Sequence, residues 1–290
     1  MQSYLKLEPI QNVLATGHFV LSSKLVLGNV IEHVVLDKTG SGALTDAMIT
    51  NIVVKLNGKV VFGPIDAANL RLLETYLTGV NTVGFLSLFF TEPRASTKAD
   101  QLLGAINTPF AGVVDFTIEG DITGATTPFL AAWAVLRSPE SLAAMDGYKP
   151  VTAPFIRALI PTTLAGTAAG EFPFDLNYGS RGESLIKRAI FFGATVTGLR
   201  VKRDNVEIYG NGPILNANAS YLQSLYGETA GANMVVFDEL LDGHQSDALA
   251  TRTILADKTA REAVYQWLLS LSGAGTVKAY MDVYSTLDRL

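Results

Sequence analysis

The sequence predicts an all-β chain, two fused β-sandwiches with short helices inserted, and three observations carry that expectation. One segment of the first half recurs in the second. Short β-rich runs are separated by turns built on Gly, Pro, Asn and Asp, and nowhere do strands alternate with long helices as a parallel sheet requires.

The repeat is the firmest of the three. Residues 50–77 read TNIVVKLNGKVVFGPIDAANLRLLETYL, and residues 197–226 read TGLRVKRDNVEIYGNGPILNANASYLQSLY. Between Gly63 and Leu73, six of eleven positions are identical to their partners 149 residues on: Gly63/Gly212, Pro64/Pro213, Ile65/Ile214, Ala68/Ala217, Asn69/Asn218 and Leu73/Leu222. Local turn preference alone does not produce such an offset twice, so the two halves are expected to share a fold, with both Gly-Pro-Ile tripeptides at equivalent corners.

The elements follow in order. Strands are expected over 19–27 and 31–36, with 172–178 and 185–192 as their counterparts. A hairpin comes next, because Asn57-Gly58 suits a type I′ turn in which both central residues need positive φ. Asp204-Asn205 takes that role in the second copy, setting Lys202 opposite Glu207 and Val201 opposite Ile208. Each hairpin then runs through Gly-Pro-Ile into a short helix. Asp66 and Asn216 are its N-caps, Leu70, Leu73 and Leu77 form one face, and Gly79 and Gly227 are left-handed caps.

β-rich runs follow at 83–91 and 232–239. A helix is then expected over 97–106, where Thr97 and Asp100 are spaced as a capping box, and another over 257–271. Each half closes on a strand of aromatic and β-branched residues, 113–119 and 277–284. The count of about eight short strands per half is that of a jelly roll. The expected fold is therefore all-β with short inserted helices, a double jelly roll of two fused eight-stranded β-sandwiches. The polar, turn-rich stretch 138–149 marks the boundary, dividing the chain into domains 1–140 and 141–290.

Composition narrows the function. Only 17% of the 290 residues are charged and 48% are hydrophobic, against a usual charged share of about 25%. So little charge implies surface covered by other subunits. The longest apolar run, 128–136, is too short to span a bilayer. The opening carries Lys6, Glu8 and Pro9 where a secretion signal needs an unbroken apolar stretch, so the chain is read as soluble and made in the cytoplasm. There are no cysteines, which excludes disulfides and thiolate chemistry. The net charge of −5, with no basic cluster longer than Lys202-Arg203, argues against direct contact with nucleic acid.

No catalytic constellation emerges. His18, His33 and His244 are too scattered for a jelly-roll metalloenzyme, and Asp37-Lys38-Thr39-Gly40 reads as a turn after a strand. Gly40-Ser41-Gly42 and Gly273-Ala274-Gly275 are too short for phosphate loops. Asp238, Glu239, Asp242 and Asp247 form the one cluster with ligand chemistry, a weak calcium candidate whose spacing is not that of an EF-hand; a solvated acidic loop is the simpler reading. Trp133 and Trp267 are expected as core or interface anchors. No enzymatic activity is expected.

With the duplication established, the ends of the chain become informative. Met1-Gln2-Ser3-Tyr4-Leu5-Lys6-Leu7, with Ile10 and Asn12-Val13 after it, resembles the start of the major capsid proteins of corticoviruses, tailless bacteriophages with an internal membrane. The resemblance continues through IVVKLNGKVV at 52–61, the helix after it, and Tyr280-Met281-Asp282-Val283-Tyr284. It implies a double jelly roll that trimerises into pseudo-hexagonal capsomers of an icosahedral shell. Neighbouring capsomers, penton or minor capsid proteins and a nearby membrane are the implied partners. Calcium helps hold that family's shells together, but no ligand can be carried over residue by residue. The N-terminal segment 1–7 is then expected at the base near the membrane, outside either core. A receptor- or carbohydrate-binding jelly roll of the spike or lectin kind fits the same fold, since fold alone does not decide function. A cupin-like enzyme would need a histidine-lined interior.

Overall fold

The computed structural model describes residues 2–40, 44–144, 155–178, 183–210, 225–228 and 230–290. The chain forms two compact units, Met1–Ala158 with Thr286–Leu290, and Leu159–Ser285.

The first unit contains β1 (Gln2–Lys6), β2 (Gly17–Ser22), β3 (Val30–Asp37), β4 (Ile49–Leu56), β5 (Lys59–Ile65), α1 (Ala67–Thr78), β6 (Phe85–Phe89), α2 (Lys98–Leu102), β7 (Ile106–Asn107), β8 (Phe116–Ile122), β9 (Ala131–Arg137) and α3 (Pro139–Ala143). One sheet runs β1-β9-β3-β6, with the two-residue β7 on β3, and the other runs β5-β4-β8-β2. Neighbouring strands within these two sheets pair antiparallel. Phe19, Leu21, Val34, Leu36, Val54 and Ile118 are fully buried, at the alternating positions that give each sheet one inward face. This strand order is that of a jelly roll.

The second unit is formed by β10 (Phe155–Gly166), β11 (Gly170–Phe174), β12 (Leu185–Phe192), β13 (Val196–Arg203), β14 (Val206–Gly210), β15 (Met234–Asp238), β16 (Leu249–Ala250), β17 (Arg252–Ile254), β18 (Ala260–Glu262), β19 (Tyr265–Leu271) and β20 (Gly275–Thr286). Its sheets run β15-β12-β20-β10, with β16 on β12, and β11-β19-β13-β14. Strand for strand this is the order of the first unit: β10 stands for β1, β11 for β2, β12 for β3, β13 for β4, β14 for β5, β15 for β6, β16 for β7, β19 for β8 and β20 for β9. The opening residues of β10, Phe155–Ala158, belong to the first unit, where β10 lies beside β5. Leaving aside the strands of two or three residues, each copy has eight among the described residues, as the repeat predicts.

Both hairpin turns form as read. Asn57 and Gly58 have φ of 51° and 78°, and Asp204 and Asn205 have 50° and 67°. The register of the second hairpin differs in part. Lys202 does face Glu207, but a bulge sets Val201 opposite Tyr209 instead of Ile208. Helix α1 ends on Gly79 at φ 72° and buries Leu70, Leu73 and Leu77. Asp66 occupies its N-cap position without a side-chain cap bond; its Oδ1 accepts from the Asn51 amide at 3.4 Å. Thr97 caps α2, accepting from the Asp100 amide at 3.1 Å. That helix stops at Leu102, short of the expected 106, because Ile106 enters β7.

The expected helix over 257–271 is wrong. Asp257 Oδ1 accepts from Thr259 N at 2.9 Å in a tight turn, and strands β18 and β19 follow. Tyr265, Trp267, Leu269 and Leu271 are buried while the residues between them are not, a period of two. Thus β19, and not 277–284, is the counterpart of β8, and the added hairpin β17-β18 stands where a second α2 was expected. The N-terminal segment also departs from expectation. Gln2–Lys6 pairs with β9 from Gln2↔Arg137 to Lys6↔Trp133, and Leu7 is buried. Asn216 and the second Gly-Pro-Ile corner lie outside the described residues.

The first corner shows why a glycine stands there. Gly63 has φ +85°, and a Cβ on it would lie 2.2 Å from the Ile52 carbonyl oxygen. Gly58 has a similar φ of +78° but open space around it. Gly63→Ala is therefore expected to destabilise the isolated subunit by about 3 kcal/mol or more, and Gly58→Ala by only about 1 kcal/mol. Calorimetric unfolding of the two variants checks this difference.

Candidate functional site

The acidic loop begins at the end of β15, and its first carboxylate is buried. Asp238 is level with Arg188 of β12, which in turn is level with Asp282 of β20. Arg188 Nε donates to Asp238 Oδ2 at 2.5 Å, and its Nη1 lies 3.4 Å from Asp282 Oδ2. Lys187 Nζ is 3.6 Å from the same Asp282 oxygen and 4.6 Å from the centre of the Tyr284 ring. Consecutive strand residues normally point to opposite faces, so Lys187 and Arg188 should not both reach the one Asp282 oxygen. The register shift between Ile186 and Arg188 resolves this, making Lys187 the extra residue of a bulge. Two cations and two anions, with side chains no more than 1% exposed, thus neutralise one another, buried on the face of this sheet opposite to the one on which Phe237 meets Trp267. Breaking such a set by removing one member leaves a buried charge uncompensated, at a cost of about 3–5 kcal/mol.

The remaining acidic residues do not converge on a cation site. Asp242 Oδ1 accepts from the His244 amide at 3.0 Å, and Asp247 Oδ1 accepts from Ser246 Oγ at 3.2 Å. Among the described residues no group of three carboxylates or histidines could hold a metal ion. The four sequence candidates therefore separate into one buried ion-pair partner, Asp238, and three loop carboxylates that form no cage among the described residues. Burial pushes the Glu239 carboxyl up to about 6, with the charges of Asp238 and Asp247 adding to the effect. Burial likewise raises the Tyr209 phenol to about 12, helped by Glu239 and Asp238.

The other histidines are accounted for locally. His18 Nδ1 lies 2.8 Å from Asp121 Oδ1 on an exposed sheet face, and His33 packs on Phe89, its pKa lowered chiefly by burial. The turn at Asp37 is as read: Thr39 N donates to Asp37 Oδ1 at 2.9 Å. Trp267 is buried in a stack with Tyr265, whereas Trp133 is 38% exposed beside Lys6.

Sequence reasoning missed a device that both units share. Asn57 Oδ1 accepts from the amides of Val114 and Asp115, at 2.8 and 3.1 Å, just before β8. In the second unit Asp204 Oδ1 accepts from the Val264 amide at 3.1 Å, just before β19, and its Oδ2 accepts from Thr253 Oγ1 at 2.7 Å. The first residue of each hairpin turn pins the chain entering the penultimate long strand. These are surface bonds, and Val114, Val206, Ile254 and Val264 beside them stand exposed.

Jelly-roll order, twinned units and the lack of a catalytic cluster among the described residues can now be set beside known proteins. Residues 4–137 match the family described as viral coat protein P2 N-terminal domain, and residues 156–287 match its C-terminal domain. The chain belongs to the viral coat protein P2 family. This coat protein is thus a structural component of a virion capsid and not an enzyme. Its fold is similar to that of the major capsid protein P2 from bacteriophage PM2, at a TM-score of 0.78 and 20% identity, covering 98% of this chain and 97% of that one. It is also similar to the major capsid protein of Sulfolobus turreted icosahedral virus, with TM-score 0.62, 11% identity and coverage of 99% and 97%. The capsid of the virus PBCV-1 aligns at TM-score 0.57 and 9% identity over 98% and 93% of the two chains. No individual curated protein sequence matches. The coat protein of a capsid assembles with itself, and family membership decides between this reading and the spike or lectin alternative.

The raised Glu239 carboxyl gives a pH test of the loop. Its folded value of about 6 lies above the ordinary 4.5, so the stability it contributes is full below 4.5 and is lost as pH rises through 6. Glu239→Gln is expected to raise the thermal midpoint by a few degrees at pH 7.5 and not at pH 4.5. Scanning fluorimetry at the two pH values checks it.

Proposed function

We propose that the chain is the major capsid protein of a tailless bacteriophage, forming homotrimers whose six sandwiches give a pseudo-hexagonal capsomer. Such capsomers would tile an icosahedral shell around an internal membrane, alongside penton or minor capsid proteins. The observation that carries this reading is the twinned strand order: three copies of a duplicated sandwich supply six similar lobes, and closed rotational symmetry is the usual solution for such contacts. Division into domains 1–140 and 141–290 belongs to the same reading, supported by the gap at 138–155 between the two family matches.

Surface chemistry favours it as well. Tyr4 is 72% exposed and Val83 76%, more apolar side chain than an isolated unit needs to leave in water. A structural calcium at the acidic loop belongs to this proposal only for the assembled shell, where a second chain would add ligands to the partly exposed Glu239, Asp242 and Asp247. Chelation should then lower the thermal stability of particles more than that of subunits, and equal effects would remove calcium from the account.

Light scattering of the purified protein, read as molar mass, tests the trimer. A mass three times that of the 31.0 kDa chain is expected. A stable monomer at micromolar concentration that also forms no trimers in particles contradicts the proposal.

A further inference from the structure

Equivalent strands of the two units have unequal surroundings. In the first unit β5 has β4 on one side and the opening of β10 on the other. Both partners are accordingly covered there: Val61, Phe62 and Gly63 of β5 are buried, and so are Ile156, Arg157 and Ala158 of β10. In the second unit β14, the equivalent of β5, has β13 on one side and, among the described residues, no strand on the other. The equivalent of β10 is β1, which has β9 on one side and, among the described residues, no strand on the other. Each half of an internal pairing is thus repeated once more in the chain, without its partner.

The two open edges are exposed and chemically matched. Along β1, Gln2, Ser3, Tyr4 and Lys6 are exposed, and along β14 so are Val206, Glu207 and Ile208. Tyr4 at 72%, Val206 at 65% and Ile208 at 40% offer apolar cover for one another, and Lys6 and Glu207 carry opposite charge. An open strand edge also presents a row of unsatisfied N–H and C=O groups, which a second strand can pair. Five residues and an edge lysine make β1 a poor target for indiscriminate pairing and leave it open to a complementary edge.

From this repeat logic we infer that β1 of one copy adds to the open edge of β14 in a second copy, joining chains head to tail. Three such junctions close a ring, so the inference deepens the trimer reading and rests on it. It names the segment each chain donates and the edge that receives it.

The absence of cysteine makes the test direct. Two single-cysteine proteins, Tyr4→Cys and Ile208→Cys, are mixed, assembled and treated with a short bismaleimide. Covalent dimers are expected from the mixture and none from either variant alone. Light scattering of the same mixture separates the failures. A trimer mass without cross-linked dimers overturns the strand-pairing inference and leaves the capsomer reading standing; a monomer mass overturns both. Placing both cysteines in one chain gives a further check, because a cross-link confined to monomers would show that β1 and β14 meet within a chain and would overturn the inference too.

Discussion

A sandwich of two antiparallel sheets can close its hydrophobic core, but it cannot satisfy the backbone groups along its own outermost strands. Every open edge must therefore be shortened, charged, covered or paired. That constraint runs through this chain. Edge strand β1 is short and ends in Lys6, while the opening residues of β10 lie beside β5. Duplication of the sandwich turns the constraint into a means of assembly, because an edge covered in one copy of the repeat is, among the described residues, left open in the other.

Charge is distributed to match. The chain is only 17% charged, and ten charged residues among the described ones, Arg157, Lys187, Arg188 and Asp282 included, are buried. In the first unit Arg71 ties helix α1 to its surroundings: Nε donates to Asp46 Oδ2 at 3.1 Å and Nη1 to the Thr82 carbonyl at 2.8 Å. In the second, the four charges around Asp282 knit three strands together. The charges left for the surface are few for a chain of this length, which suits a protein whose sides are covered by its neighbours.

Local chemistry was legible in the sequence wherever a residue answers to its own backbone. Asn57-Gly58 and Asp204-Asn205 announce positive φ, Gly79 announces a left-handed cap, and Thr97 announces a helix start; each is found in place. Features that depend on distant partners were not legible. Residues 257–264 carry the charges of a solvent-facing helix, and Leu268 with Leu269 imitates its period, yet the burial of Trp267 and Leu269 against the opposite sheet selects a strand. Nothing near Lys187-Arg188 in the sequence signals the bulge that brings both to Asp282 or the aspartates that receive them. Asp238 was read as part of a solvated loop for the same reason: its partner lies fifty residues away.

On the trimer proposal, the two equivalent sandwiches of each chain build a ring of six from three chains. Electron cryo-microscopy of purified particles tests it most directly. The account expects a shell tiled by three-fold capsomers of six similar lobes, two from each chain. Particles whose shell is built from monomers, or from dimers with four lobes, would contradict it.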